Sequence, residues 1–325
     1  MEGNLKTAPK ILVVGSINMD LIVSSDRFPE SGETVLGQSY QTAPGGKGAN
    51  QAVQAARLGA SVTMVGKVGY DSFGDALIKS LQDSGVDTSY VFRSSSCSTG
   101  FSNIQLEKGS KHSANRIVVI PGANYDLQPS DVSFLENEIK QYDIVLLQLE
   151  IPMEINALVA SYAAAKDVPV MLNCAPVAPM TRDLLEKVTY LSPNEHEARI
   201  LTGIEITDDT SIVKAMQEIH NLGVKNALIT LGSRGVAYES DSGILYSPAL
   251  TGLKVQDTTA AGDSFVGAFC TAISSGASIS ESLAFANHVA ALTVCKMGAQ
   301  PSLPTLNEVI ELMKDRNTHL QFLGE

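Results

Sequence analysis

The chain contains no tryptophan, and aromatic residues make up only 6% of its 325 positions. A hydrophobic core is therefore expected to consist mainly of Val, Ile, Leu and Ala. Hydrophobic residues still reach 44% and charged residues 18%, which is ordinary for a globular protein. At this length the chain can form one large α/β domain or two domains of common size.

Runs of lysine and arginine are also absent, and the formal net charge is −12. Nucleic acids and anionic membranes bind through clustered cations, so neither is an expected partner. A phosphorylated small molecule is not excluded, because it requires only a few local hydrogen-bond donors.

The cysteines are few, widely separated and without a C-x-x-C pair: Cys97, Cys174, Cys270 and Cys295. Disulfides are therefore not expected, and a reducing compartment fits this composition. The N-terminal stretch MEGNLKTAPK lacks the apolar core of a signal peptide. No apolar run reaches the length of about 18 residues that a membrane-spanning helix needs. The sequence thus predicts a soluble, cytoplasmic protein.

Short β-branched runs alternate with helical patterns along most of the chain. Strands are predicted at Lys10–Ser16, Ser61–Gly66, Asp143–Gln148, Val168–Asn173, Thr189–Ser192 and Ala227–Leu231. Helices are predicted at Lys47–Leu58, Phe73–Ser84, Met153–Ala165, Glu195–Leu201, Ile212–Leu222, Gly262–Ser275, Ile279–Lys296 and Leu306–Arg316. This order predicts an α/β fold with a mostly parallel sheet and helices on both faces. A hairpin is expected after Thr230, with Asp241-Ser242-Gly243 at its turn.

Two early stretches interrupt this alternation, Glu33–Ala43 and Gly100–Glu107. Polar and apolar residues alternate in both, as they do in half-exposed antiparallel strands. They predict a small β-sheet that projects from the main domain. One α/β domain with this appendage is the preferred interpretation, and two full domains are the alternative.

The stretch PGGKGANQA (Pro44–Ala52) is rich in glycine but has neither P-loop nor dinucleotide-fingerprint spacing. Its glycines permit a ligand to approach the backbone, and Lys47 and Asn50 can donate to hydroxyl groups. The alternative is a plain turn that leads into a helix.

The stretch DTTAAGDSF (Asp257–Phe265) joins LKVQD, which is predicted to be a strand, to a helix. Small residues at Ala260-Ala261-Gly262 leave backbone N–H groups bare at the positive end of that helix, which suits a phosphoryl group. Asp263 is then placed to accept a proton from an attacking hydroxyl. The alternative is that Asp263 only stabilises the helix end.

A third stretch, SPNEHEA (Ser192–Ala198), places Asn194 and Glu197 on one face of a helix start. Together they can hold water around Mg²⁺, or they can simply cap the helix. His196 is not expected to bind zinc, because no further ligand spacing accompanies it. Asn18, Asp20 and Glu150 follow predicted strands, where open α/β sheets bind ligands.

Taken together, the ordered motifs resemble those of the ribokinase-like carbohydrate kinases, the family that includes fructokinases and adenosine kinase. The resemblance extends from Ile11 to about Pro304 and rests on GSINMD, GGKGANQA, GYDSFG, LQLE, SPNEHEA, TLGSRG, DTTAAGDSF and GAQPS. The pairing of GSINMD with GGKGANQA is typical of the ribose-specific members.

This resemblance implies one three-layer α/β/α Rossmann-like domain over residues 1–325, with a β-sheet lid from segments near residues 17–43 and 97–120. It also implies lid-to-lid homodimers. The implied reaction transfers the γ-phosphoryl group of ATP to O5 of D-ribose, giving D-ribose 5-phosphate and ADP. Kinases for deoxyribose, fructose or adenosine are the nearest alternatives. A non-catalytic sugar sensor is a further one, and the missing G-x-G-x-x-G disfavours a dinucleotide-dependent oxidoreductase.

The resemblance also implies a role for each matching position. Asp263 would be the catalytic base, and the anion hole would comprise Ala260, Ala261 and Gly262. The sugar would be held, together with Asp263, by Asn18, Asp20, Gly46, Lys47, Asn50 and Glu150. The ATP site would comprise Asn194, Thr230, Gly232, Gly235, Gly262 and Asn287. Asn194 and Glu197 would organise Mg²⁺ through water. A K⁺-type cation would lie at Asp257, Thr259, Thr293, Lys296, Gly298 and Ser302.

Overall fold

A nine-stranded sheet forms the centre of the computed structural model, which describes residues 4–107, 114–240 and 243–324. The strands in chain order are β1 (Lys10–Val14), β2 (Asn18–Ser25), β3 (Ser39–Gly45), β4 (Ser61–Gly69), β5 (Asp87–Ser94), β6 (Gly100–Glu107), β7 (Ala114–Ile120), β8 (Ile144–Gln148), β9 (Val170–Asn173), β10 (Tyr190–Leu191), β11 (Asn226–Thr230), β12 (Val236–Ser240) and β13 (Gly243–Ser247). The helices are α1 (Lys47–Arg57), α2 (Ser72–Asp83), α3 (Pro129–Val132), α4 (Leu135–Glu138), α5 (Met153–Ala164), α6 (Arg182–Leu185), α7 (Glu195–Thr202), α8 (Asp209–Asn221), α9 (Ala261–Ser274), α10 (Ile279–Thr293) and α11 (Leu306–Asp315).

The large sheet is parallel except at one edge. Its order is β13-β12-β11-β10-β9-β8-β1-β4-β5. In this spatial order, neighbouring strands from β11 through to β5 pair in parallel. The β12–β13 hairpin adds two antiparallel strands beyond β11. The hairpin is where the sequence predicts it, although Asp241 and Ser242 of its predicted turn lie outside the described residues.

Both faces of the large sheet are covered by helices. In β1, Ile11 and Val13 face one hydrophobic cluster while Leu12 and Val14 face another, as the alternation of side chains along a strand requires. The first cluster contains residues of α1, α2, α9, α10 and α11, and the second contains residues of α3 to α8. The predicted three-layer α/β/α class is confirmed. No helix of the described residues is long and apolar enough to cross a membrane.

A second, four-stranded sheet has the order β3-β2-β6-β7. Strand β2 pairs antiparallel with β3 and parallel with β6, and β6 pairs antiparallel with β7. This is the small sheet predicted from residues near 17–43 and 97–120. Large apolar side chains are exposed on it or in the connection before β3, namely Leu36, Tyr40, Ile117, Val118, Val119 and Ile120.

Two predicted strands differ from the structure. The stretch Leu253–Asp257 is not a strand, because its backbone does not pair with a strand of either sheet. The N–H groups of Gln256 and Asp257 donate instead to the Val294 carbonyl, at 2.8 and 3.3 Å. The predicted strand Glu33–Ala43 is only partly formed, since β3 begins at Ser39.

Candidate active site

A cleft of about 200 Å³ opens where several parallel strands end. Asn173 is the last residue of β9 and Thr230 the last of β11, and open α/β sheets bind ligands at such ends. Sequence-predicted residues that line the cleft are Lys47, Asn194, Glu197, Thr230, Ala260, Gly262 and Asp263. The cleft is also lined by Asn173, Ala175, Ser192 and Thr258, which sequence reasoning missed.

Asp263 is the third residue of α9 and only 6% exposed, yet it lines the cleft. Two neighbouring residues of α1 reach it. Asn50 Nδ2 donates to Asp263 Oδ2 at 2.9 Å, and Gln51 Nε2 donates to Oδ1 at 3.1 Å. An ionised carboxylate has about four acceptor sites, so Asp263 can accept a further hydrogen bond from a group in the cleft.

The start of α9 is shaped by small residues. Ala260 precedes the helix with φ of 61°, a left-handed conformation that costs an L-residue with a side chain roughly 1–2 kcal/mol. The Ala261 N–H donates to the Thr258 carbonyl at 3.2 Å, so this amide is partly used within the loop. A Cβ at Gly262 would meet nothing within 4 Å, so the space above it is open to a ligand. The backbone N–H groups of Ala260 and Gly262 are therefore better suited to bind an anion than the N–H group of Ala261.

The predicted sugar-binding residues converge beside α1. Asn18 is buried, and its Oδ1 accepts from Asn124 Nδ2 at 2.6 Å. Gly46 directly precedes α1 with φ of 89°, and a Cβ there would lie 2.7 Å from the Asn18 nitrogen. Glu150 Oε2 accepts from the Lys47 backbone N–H at 3.1 Å, at the first turn of α1. Tertiary packing thus unites GSINMD, GGKGANQA and LQLE.

The carboxyl group of Asp20 is strongly perturbed. It is only 9% exposed, and burial raises its pKa to about 6, against the opposing effect of a hydrogen bond with Ser102. The negative charges of Glu150 and Asp263 raise this pKa further. Such a group accepts hydrogen bonds from hydroxyls strongly once it is ionised.

Lys47 contributes the positive charge of this region. Burial by itself would lower the pKa of its ammonium group, but the Asp263, Glu150 and Glu197 carboxylates outweigh that effect and raise it. Lys47 is therefore charged at neutral pH and partly offsets the acidic groups around the cleft.

Asn194 and Glu197 form a reciprocal cap at the start of α7. Asn194 Oδ1 accepts from the Glu197 N–H, and Glu197 Oε2 accepts from the Asn194 N–H, both at 2.8 Å. Glu197 is only 8% exposed, and burial raises its pKa. The capping interpretation is thus confirmed, and Glu197 also lines the cleft.

Three residues predicted for the nucleotide lie outside the cleft lining. Asn287 Nδ2 donates to the Ser247 and Pro248 carbonyls, at 3.0 and 3.2 Å. Gly235 has φ of 95°, and a Cβ there would lie 2.1 Å from the Ser247 oxygen. Gly232 starts a short 3₁₀ turn between β11 and β12. Their nucleotide roles stay predictions.

Two of the residues predicted for a monovalent cation, Thr259 and Gly298, contact Asp257. Its Oδ1 accepts from the Thr259 N–H at 2.9 Å, and its Oδ2 accepts from the Gly298 N–H at 2.8 Å. Thr293 and Ser302 are buried, and their hydroxyls donate to the Val289 and Ala299 carbonyls. The Lys296 ammonium pairs with Glu308 and cannot bind a cation itself, so the backbone carbonyl is the group of Lys296 that could do so.

Relatives of known activity match this chain over most of its length. A family model described as pfkB family carbohydrate kinase matches residues 8–306. The chain belongs to the pfkB family of carbohydrate kinases. Among its members, ribokinase of Bacillus subtilis is 45% identical over 93% of this chain and 99% of its own length. Deoxyribokinase of Salmonella typhi is 32% identical over 93% of this chain and 98% of its own length.

A solved structure of another pfkB-type kinase has the same fold. Ribokinase of Arabidopsis thaliana, complexed with ribose and ATP, matches with a TM-score of 0.87 and 36% identity. The match covers 95% of this chain and 99% of that one. The resemblance inferred from the motifs is therefore confirmed at the level of the family and the fold.

Proposed function

We propose that this protein transfers the γ-phosphoryl group of ATP to O5 of D-ribose. The observation that carries the proposal is Asp263, a buried carboxylate that lines the cleft beside the open space over Gly262. A proton acceptor is thereby placed next to an anion site at a helix N-terminus. The high similarity to enzymes named ribokinase supports ribose as the acceptor.

The reaction requires in-line displacement at the γ-phosphorus. The ribose O5 forms the new P–O bond, the bond from the γ-phosphorus to the β–γ bridging oxygen breaks, and ADP leaves with that electron pair. The O5 proton passes to the Asp263 carboxylate. Backbone N–H groups at Ala260 and Gly262 stabilise charge on the transferred group, and Lys47 adds a cation at the same cleft.

The residues of the cleft fit a water-held Mg²⁺ ion. Within residues 4–107, 114–240 and 243–324, no three His, Cys, Asp or Glu side chains cluster to hold a metal by themselves. Mg²⁺ commonly takes one or two carboxylates together with waters and substrate phosphates, which Glu197 and Asn194 at the cleft wall suit. When bound, the ion would neutralise charge on the ATP phosphates.

A K⁺-type cation is proposed at Asp257, Thr259, Thr293, Lys296, Gly298 and Ser302. The hydrogen bond from Gly298 to Asp257 supports this proposal, because it joins the segment after α10 to the loop that leads to Ala260. A cation there would add positive charge near the anion hole and order its loop.

A coupled ADP-release assay tests the proposed function. With ribose, ATP and Mg²⁺, we expect ADP release that rises when K⁺ is added and that requires both substrates. Absence of ADP release with every sugar would contradict kinase activity and favour a sugar-binding sensor. Equal rates with and without K⁺ would contradict only the cation proposal.

Deoxyribose is the second candidate acceptor, because a deoxyribokinase is 32% identical to this chain. A panel of ribose, 2-deoxyribose, fructose and adenosine in the same assay distinguishes the acceptors. A site built around a hydroxyl discriminates strongly against its absence. We therefore expect kcat/KM to be highest for ribose, and a higher value for any other acceptor would replace the proposed substrate.

We also propose that the four-stranded sheet covers the sugar as a lid of a single domain and pairs with a second copy. Exposed Ile117, Val118 and Tyr40 support such an interface. Light scattering is expected to give the mass of a dimer at micromolar concentration, and a monomer alone would contradict it. A cytoplasmic location stays a prediction.

A further inference from the structure

A series of buried carboxamides runs from Asp263 into the large sheet. Gln51 Nε2 donates to Asp263 Oδ1 at 3.1 Å, and Gln51 Oε1 accepts from Gln148 Nε2 at 2.7 Å. Both glutamines are fully buried, and they come from α1 and β8. The Asp263 carboxylate is thus connected through side chains alone to the central strand layer.

The carboxylate dictates the orientation of both amides. An ionised carboxylate only accepts hydrogen bonds, so Gln51 must direct its NH₂ group towards Asp263. The Gln51 carbonyl oxygen then requires a donor on the other side, and Gln148 Nε2 supplies it. Removal of Gln148 would leave the buried Gln51 oxygen without this donor and the Gln51 amide less firmly held.

Two glycines make room for this arrangement. A Cβ at Gly267, one turn after Asp263 on α9, would lie 2.9 Å from the backbone carbonyl oxygen of Gln51. A Cβ at Gly15 would lie 1.9 Å from Gln148 Oε1. Any larger residue at Gly267 would therefore separate α1 from α9 and move Gln51 away from Asp263.

The arrangement is a poor one for stability. Gln148 Oε1 is buried and has no hydrogen-bond partner among the described residues. A buried acceptor without a partner is destabilising, and apolar side chains of the same shape in place of both glutamines can be neutral or stabilising for the pair itself. What the pair does provide is a donor to one oxygen of the buried Asp263 carboxylate.

We propose that Gln51, held in place by Gln148, is a positioning residue for Asp263. It fixes the direction of the carboxylate, because Gln51 donates to Oδ1 while Asn50 donates to Oδ2. The inference rests on the proposed role of Asp263 as the proton acceptor. The inference explains what holds the buried Asp263 carboxylate in the orientation needed to accept a proton.

Steady-state kinetics test the proposal. We expect Gln51→Leu to lower kcat about 10–100-fold, the order of loss that misplacement of a reacting group produces. The KM values for ribose and ATP should change less than about 3-fold, since ground-state binding is retained. A loss in kcat with nearly unchanged KM is the result that a loss of packing or of substrate binding would not produce. Gln148→Leu should act in the same direction.

Gln54→Leu is the matched control. Gln54 is also a fully buried glutamine of α1, but its Nε2 donates to the Pro304 carbonyl at 3.0 Å instead of to Asp263. We expect Gln54→Leu to keep the kcat of the unmodified protein. If Gln51→Leu behaves like Gln54→Leu, or changes only KM, the positioning role is wrong.

Gln51→Glu keeps the size of the side chain and covers the case in which the leucine variant does not fold. An ionised glutamate cannot donate to Asp263 Oδ1, so kcat should also fall, and an unchanged kcat would overturn the proposal. Asp263→Asn separates the two levels of the inference. If it retains turnover, the proposed base is wrong; if it alone loses turnover, only the role of Gln51 is wrong.

Discussion

Asp263→Asn is expected to lower kcat about 10²–10⁴-fold, the contribution that a positioned general base makes. The asparagine amide has nearly the same shape but cannot accept the O5 proton. Because substrate contacts elsewhere in the cleft are kept, ribose and ATP should bind almost as before. Single-turnover rates with saturating ATP, together with calorimetric titration of ribose, measure the two effects separately.

The alternative interpretation of Asp263 is that it only stabilises the start of α9. Glu281 provides the control, since it is the third residue of α10 and caps that helix with Ser278. Glu281→Gln should lower the free energy of unfolding by about 0.3–1 kcal/mol, lower the melting temperature slightly and leave kcat unchanged. If Asp263→Asn shows the same pattern, Asp263 is a helix stabiliser and not the base.

Asp20→Asn is expected to weaken ribose binding while it stabilises the folded protein at high pH. Loss of a charged acceptor for a sugar hydroxyl should raise the KM for ribose about 10–100-fold, the equivalent of roughly 1.5–3 kcal/mol. The stabilisation follows from burial, which raises the pKa of Asp20 from an ordinary value of 3.8 to about 6. The buried charge is thus unfavourable for folding.

The pH dependence of that stability has a definite sign. A raised pKa means that the contribution of Asp20 to stability is full below about pH 4 and is lost as pH rises through about 6. Asparagine does not ionise. The free energy of unfolding of Asp20→Asn should therefore exceed that of the unmodified protein by on the order of 1–3 kcal/mol at pH 8. The difference should decrease towards pH 5. Denaturant unfolding at both pH values measures it.

Asp71 is the opposite case and serves as the control. Burial would raise its pKa, but hydrogen bonds from Thr99 and from the Gly74 N–H outweigh this and lower it. Its contribution is therefore present at neutral pH and lost as pH falls, so Asp71→Asn should destabilise the protein at pH 8. If Asp20→Asn also destabilises at pH 8, the buried-charge account of Asp20 is wrong.

Local patterns along the chain are sufficient to predict most helices and strands of the large sheet. The start of α9 near Asp263 and the cap of α7 by Asn194 and Glu197 follow from side-chain chemistry within a few residues. The strand predicted at Leu253–Asp257 is wrong because a strand also requires a partner from elsewhere in the chain. Its β-propensity has no sheet edge to pair with, and the nearest partner is the end of α10.

Contacts between distant segments could not be predicted in this way. Asn50 and Asp263 are 213 residues apart in the chain, and Ile17 and Asn124 are 107 apart. GGKGANQA and LQLE contain Gln51 and Gln148, but their sequence does not indicate which side chain faces which. The choice depends on how closely α1 packs on α9, which Gly267 permits.

The sequence by itself thus determined the fold class, the family and the chemical types gathered for phosphoryl transfer, because periodicity and motif order are local properties. Only the tertiary structure decided that Asp20 is buried among other carboxylates and that Asp263 is held through Gln51 by Gln148. Burial and distance set the charge state of a carboxylate, and both arise only when separate segments pack together.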